Sequence, residues 1–177
     1  MCLIDIESTS LDADVGVFVG GGLMTLGGRF KWVYADSPKS ESRAIKSFLK
    51  AIVGCDVVVT WNGRLFDIPF ITARALRHGV SIDSLLNPLH LDLAEFVKNN
   101  LKLARHDLYH VSRFLGITKD LEVEGFDVPA LYAKALKGDR RAASAIRNHC
   151  RDDLETTRLV FLKLLPLLKI KYPDLNF

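Results

Sequence analysis

The chain has 177 residues, of which 49% are hydrophobic and 25% charged, and its net charge is +3. That length suits a single domain, residues 1–177, with a sizeable core, and the composition excludes a disordered or low-complexity chain. A membrane span is excluded on the same grounds, since the longest nearly uncharged stretch, 15–28, is short and rich in glycine. No secretory signal is expected, because Asp5 and Glu7 stand where a basic start and an apolar run would fall. Cys2, Cys55 and Cys150 lie far apart without a Cys-x-x-Cys pair, which predicts reduced thiols in a cytoplasmic protein.

Residues 1–9 read as a strand. Side chains alternate along a strand, so Asp5 and Glu7 project from one face while Cys2, Ile4 and Ile6 project from the other. Two carboxylates on one face of a buried strand repel each other and lose hydration, a cost that a shared cation relieves; a solvated edge strand is the alternative for such a pair. Hard oxygen ligands suit Mg²⁺ or Mn²⁺ better than zinc.

Segments 15–19 and 29–34 predict two further strands of a meander, with a bend or bulge at 20–22 and a hairpin turn at Gly27-Gly28. Ser37-Pro38 opens a helix whose apolar stripe is Ala44, Ile45, Phe48, Leu49 and Ile52, ended by Gly54. The β-branched run 56–61 predicts a buried strand parallel to the first. A loop, 62–67, leads to a helix with Pro69 in its first turn that runs to about His78. Residues 89–92 predict one more short strand, and a helix follows through Ala94, Phe96 and Val97. From Asp107 onward helices are expected at roughly 107–115, 128–137, 140–150 and 151–170. This order predicts an α/β fold, a mixed central sheet flanked by helices.

Two more acids fall in suitable places. Asp67 follows a buried strand at the start of a helix, where α/β folds place their sites, although an Asp before Pro69 also suits a helix cap. At 100° per residue, Cys150, Leu154, Thr157, Val160, Phe161, Leu164 and Leu168 define one apolar helix face. Asp153 lies at the border of that face and Asp152 nearly opposite, so Asp153 is the expected ligand. His149 sits one turn earlier on the same side; a plain helix-surface histidine is the alternative.

The ordered set Asp5-Ile6-Glu7-Ser8-Thr9, Asn62…Phe66-Asp67 and His149…Asp153 resembles the three exonuclease motifs of the DEDD superfamily. Within it, the chain is most similar to exonuclease domains related to family-B polymerase proofreading, including the YprB-type ribonuclease H-like group. Ala130-Leu131-Tyr132 through Asp139 into Asn148-His149, and His106 to Gly116, carry further likeness to that group. The polymerase branch has tyrosine four residues before its last aspartate, whereas His149 occupies that spacing here.

The resemblance implies a ribonuclease H-like fold and metal-dependent 3′–5′ exonuclease activity on DNA or RNA. Asp5, Glu7, Asp67 and Asp153 would hold two divalent ions, Mg²⁺ or Mn²⁺, about 3.5–4 Å apart. His149 would serve as general base. Leu11 and Phe66 are expected against a terminal base, with Ser8, Thr9 and Asn62 holding phosphate or sugar. Arg140 and Arg141, with Arg147 and Arg151, could track a phosphate backbone, as could Lys98, Lys102 and Arg105; solvated helix faces are the alternative. The expected partner is nucleic acid, single-stranded 3′ ends first. A structure-selective endonuclease of the same fold and a non-catalytic nucleic-acid-binding module are the competing readings, the latter disfavoured by retention of all four acids.

Overall fold

The computed structural model describes residues 1–118 and 125–175. Five strands form one mixed sheet: β1 (Cys2–Ser8), β2 (Phe18–Thr25), β3 (Phe30–Tyr34), β4 (Val57–Thr60) and β5 (Leu89–Asp92), in the spatial order β3-β2-β1-β4-β5. β1 pairs antiparallel with β2 and parallel with β4, and β4 pairs parallel with β5. Helix α1 (Glu41–Ile52) connects β3 to β4, and α2 (Asp67–Arg77) with the short α3 (Asp83–Leu86) connects β4 to β5. Then come α4 (Leu93–Asn100), α5 (Leu108–Phe114), α6 (Val128–Ala135) and α7 (Arg140–Lys171). The expected mixed sheet with flanking helices is thus the observed architecture.

Alternation along β1 divides the core. Cys2, Ile4 and Ile6 are buried with Ile45, Phe48 and Phe70 from α1 and α2. Leu3 is buried on the other face with Leu154, Val160 and Phe161 of α7 and Val111 of α5. The apolar stripe expected on α1 is buried as expected, from Ala44 to Ile52. Burying these side chains stabilises the fold by about 1.5–3 kcal/mol for each larger one.

Three expectations need correction. Residues 20–22 are no bend but the middle of β2. Their glycines answer to packing: a Cβ on Gly21 would lie 2.6 Å from the Phe48 ring, and one on Gly22 2.6 Å from Cys150 Sγ. Bare backbone there lets α1 and α7 approach the sheet from opposite sides. The irregularity in pairing falls instead between Glu7 and Ser8 of β1.

The two helices expected at 140–150 and 151–170 are one helix of 32 residues, roughly 48 Å long. Ile146, Cys150, Leu154, Val160, Phe161, Leu164 and Leu168 keep one buried stripe across the supposed junction, so nothing interrupts it. Asp139 caps its start, accepting from the Arg141 and Ala142 amides at 2.9 and 3.1 Å.

Cys2 and Cys55 are not reduced thiols but a disulfide, with Cα atoms 5.9 Å apart. Their separation of 53 residues hides the pairing in the sequence. It arises because β1 lies beside β4, with Cys2 opposite Val58, and Cys55 leads directly into β4. Cys150 is free and buried. Among the described residues, no helix is long and apolar enough to cross a membrane.

Candidate metal centre and its pocket

The carboxyl ends of the parallel strands meet α7 on one side of the sheet. There a pocket of about 360 Å³ is lined by Asp5 and Glu7 of β1, His149 and Asp153 of α7, and Ser8, Leu11 and Phe66 from the adjoining loops. That volume lies in the range of ordinary small-ligand sites. The two-residue period of β1 delivers both acids to this face, and the i,i+4 spacing of α7 delivers the histidine and the aspartate. His149 lies between the two elements: Nε2 is 3.8 Å from Glu7 Oε1, and Nδ1 is 3.8 Å from Asp153 Oδ1. Its side chain is 11% exposed, against 6% for Glu7 and 24% for Asp153. His149 is therefore not a solvated surface residue. Asp152, the residue before Asp153, is exposed.

Asp67 stands directly behind these groups. It is the first residue of α2, yet its side chain does not cap that helix. Instead Oδ1 accepts the amide of Ile6, the residue between Asp5 and Glu7, at 2.9 Å. Burial pushes its pKa from 3.8 up to about 7; the Ile6 and Asp67 amides oppose that rise, and the nearby Asp92 charge adds to it. Among the described residues no cationic side chain lies within ion-pair distance of Asp67.

The donor set fits a hard divalent cation. Oxygens of Asp5 and Glu7 lie within 4.8 Å of each other and of Cys150 Sγ. The thiol is not part of that fit: burial, then the Asp5 and Glu7 charges, raise its pKa well above the usual value, so it stays protonated. It donates to the Asp5 carbonyl at 3.7 Å. Glu7 and Asp67 are 5% and 4% exposed, and carboxylates this buried call for a cation or a proton.

The remaining expected residues divide. Leu11 is 80% exposed although it lines the pocket, and Phe66 is half-buried against Phe70, ring centroids 5.6 Å apart. The Thr9 hydroxyl accepts the Val17 amide at 3.0 Å, so it closes the β1–β2 connection rather than facing the pocket. Asn62 is exposed, with φ +60°, and belongs to a second cavity on the far side of its own loop. Arg140 and Arg141 are exposed at the start of α7, about 20 Å along the helix from Asp153.

Phe126, 76% exposed, from the turn before α6, and Pro129, from the first turn of α6, also line the pocket. Sequence reasoning overlooks them; the available signal is an aromatic set in Gly125-Phe126-Asp127, a turn with no apolar periodicity to bury it.

A mixed five-stranded sheet with flanking helices, crossed by a long helix that brings Asp153 and His149 to the pocket of Asp5 and Glu7, defines a protein of the ribonuclease H-like class. Residues 2–165 match the profile of the RNase H superfamily, and the chain belongs to that superfamily. A DNA polymerase of Pyrococcus glycovorans is 35% identical over 91 residues, covering 45% of this chain and 11% of the polymerase. The family B DNA polymerase of the hyperthermophilic archaeon Pyrobaculum calidifontis superposes with a TM-score of 0.79 at 22% identity, over 94% of this chain and 24% of that one. The chain thus spans about a tenth and about a quarter of the length of these two proteins.

Proposed function

We propose that this chain is a single ribonuclease H-like domain acting as a metal-dependent 3′–5′ exonuclease of the DEDD type, on DNA or RNA. The observation that carries the reading is His149, held in one pocket between Glu7 of β1 and Asp153 of α7 at 3.8 Å from each. A buried imidazole touching two site acids has little structural purpose, whereas a general base needs that placement. The partial sequence likeness to a DNA polymerase supports a nucleic-acid substrate.

Two divalent ions, Mg²⁺ or Mn²⁺, held by Asp5, Glu7, Asp67 and Asp153, would supply charge for activating water and for stabilising the leaving oxygen. The protein's own residues do the rest. His149 takes the proton of the water that attacks the terminal phosphorus, and Glu7 and Asp153 hold its ring in line. The bond from phosphorus to the 3′ oxygen of the preceding nucleotide breaks, and that oxygen is protonated on release. Leu11, Phe66 and Phe126 offer apolar surface to an unpaired terminal base, which favours a strand end over an internal position. Ser8 lies at the pocket rim, where its hydroxyl and backbone can meet a phosphate.

The test is an end-labelled single strand of DNA or RNA with Mn²⁺ or Mg²⁺, run against a circular strand of the same sequence. Stepwise shortening from the 3′ end with the circle intact is the expected result. Cutting of the circle would make the protein an endonuclease, and binding without hydrolysis would make it a non-catalytic module.

A further inference from the structure

A second cavity, about 720 Å³, lies beyond the end of β5. It shares a wall with the acid pocket: the loop 62–66 lends Leu65, 80% exposed, to this cavity and Phe66 to the other. Both openings lie at the same edge of the sheet, where β1, β4 and β5 end. They also lie on the same face, since Leu108 of the second cavity packs with Leu3, Leu154 and Phe161 of the α7 side.

The chemistry inside is that of a nucleotide site. Trp61 offers an indole, half-buried, and Leu65 and Leu108 add apolar surface. The charges around it are committed unevenly. Arg64 pairs with Glu95 at 2.9 Å, and Asp107 pairs with Arg105 at 3.0 Å. Asp92 accepts the amides of Asn62, Arg64, Ala94 and Glu95, which also fixes the shared loop. Lys98 and His106 remain, with no acidic partner among the described residues. An aromatic face beside uncommitted donors and a cation suits a base and its phosphate.

We propose that this cavity is a second single-strand subsite, which holds nucleotides upstream of the one seated in the acid pocket. The base stacks on Trp61, and Lys98 and His106 meet the phosphates. This rests on the exonuclease reading for its substrate class. The distance is suitable: β1 and β5 are separated by two strand spacings, about 10 Å. A stacked strand rises about 3.4 Å per nucleotide, so about three nucleotides span the gap. The strand therefore leaves the acid pocket toward α4 and α5, away from Arg140 and Arg141.

The test uses the intact protein in metal-free buffer, where hydrolysis does not compete, with an oligothymidylate dinucleotide and octanucleotide as probes. In a Trp32→Phe background, Trp61 is the only indole. The octanucleotide should quench its emission and the dinucleotide should not. Lys98→Glu should weaken octanucleotide binding about tenfold and reduce its salt slope, leaving dinucleotide binding unchanged. Absence of quenching by the octanucleotide, or equal weakening of both probes, would overturn the subsite. Length-dependent quenching in a protein that never hydrolyses a strand would uphold the subsite while the exonuclease reading fails. Hydrolysis without the length dependence would do the reverse.

Discussion

Two buried carboxylate clusters sit on opposite faces of the same sheet, and they are built to opposite ends. On the α1–α2 face Glu41 is 1% exposed and fully served by its own chain. Arg74 Nε donates to it at 2.7 Å, the Phe18 amide at 2.7 Å, and His78 Nε2 lies 2.8 Å away. Burial works against the Glu41 charge, but these partners outweigh it and hold its pKa below the usual value. Arg74 also donates to the Ala13 carbonyl at 2.9 Å and so anchors the connection that carries Leu11. At the start of α2, behind the acids of the α7 face, Asp67 is 4% exposed, receives amides and, among the described residues, no side-chain cation, and has its pKa raised to about 7. Each cluster sets a histidine against a glutamate, at 2.8 Å for His78 and 3.8 Å for His149. A buried acid that its own chain neutralises is structural; one left short of positive charge is a candidate for holding a ligand.

The comparison breaks most sharply at activity. Asp153→Ala should reduce nuclease activity to background while the protein stays folded, because a site ligand is lost and no core contact is. Asp152→Ala, on the exposed side of the helix, should stay within about twofold of wild type. A strand-degradation assay on both variants checks this, and the reverse pattern would move the ligand to the other aspartate.

The two histidines come next. His149→Ala should lower the hydrolysis rate about 10²–10⁴-fold with little change in stability. His78→Ala should leave the rate near wild type and lower the urea midpoint instead. Measuring both quantities for both variants separates the clusters, since exchange of the two phenotypes would show that the roles are assigned to the wrong faces.

Arg74→Met should cost about 3–5 kcal/mol in urea unfolding, because it strands a buried charge on Glu41. Glu41, with its depressed pKa, contributes stability that is present above the unfolded value of 4.5 and lost as pH falls through the folded value. Arg74→Met should therefore flatten the acid limb of the stability profile.

Asp67 predicts the opposite slope and a smaller gain. Its folded pKa exceeds the unfolded 3.8, so the folded protein binds the extra proton between pH 3.8 and about 7. Metal-free stability should then fall as pH rises across that window. Asp67→Asn keeps an acceptor for the Ile6 amide and should remove the fall, leaving the variant more stable than wild type near pH 8. Urea midpoints across pH, taken in chelator, measure it.

Much of this site is legible in the sequence because its parts are local. The Asp5–Glu7 pair follows from a period of two, and the choice of Asp153 over Asp152 from a period of 3.6 beside an apolar stripe. What is not legible is long-range. The Glu41–Arg74–His78 cluster joins residues 33 and 37 apart, and the Cys2–Cys55 disulfide spans 53. Both are settled by which strands and helices become neighbours, and no local pattern states that. Glycines 20–22 mislead for a related reason: their purpose is set by Trp32, Phe48 and Cys150 packed against them, not by the turn chemistry glycine usually signals. Phe126 escapes because an exposed aromatic in a turn has no periodicity to betray it.

The central claim, that the α7-face acids are reserved for divalent metal, is tested most directly by unfolding rather than by turnover. An ion bound only by the folded state stabilises it by about 2.7 kcal/mol at a concentration a hundredfold above its Kd. Thermal unfolding with increasing Mn²⁺ should raise the Tm of wild type, and the rise should vanish in Asp5→Asn and Asp153→Asn while persisting in Asp152→Asn. A Tm indifferent to Mn²⁺, or one that rises equally in all three variants, would contradict the claim.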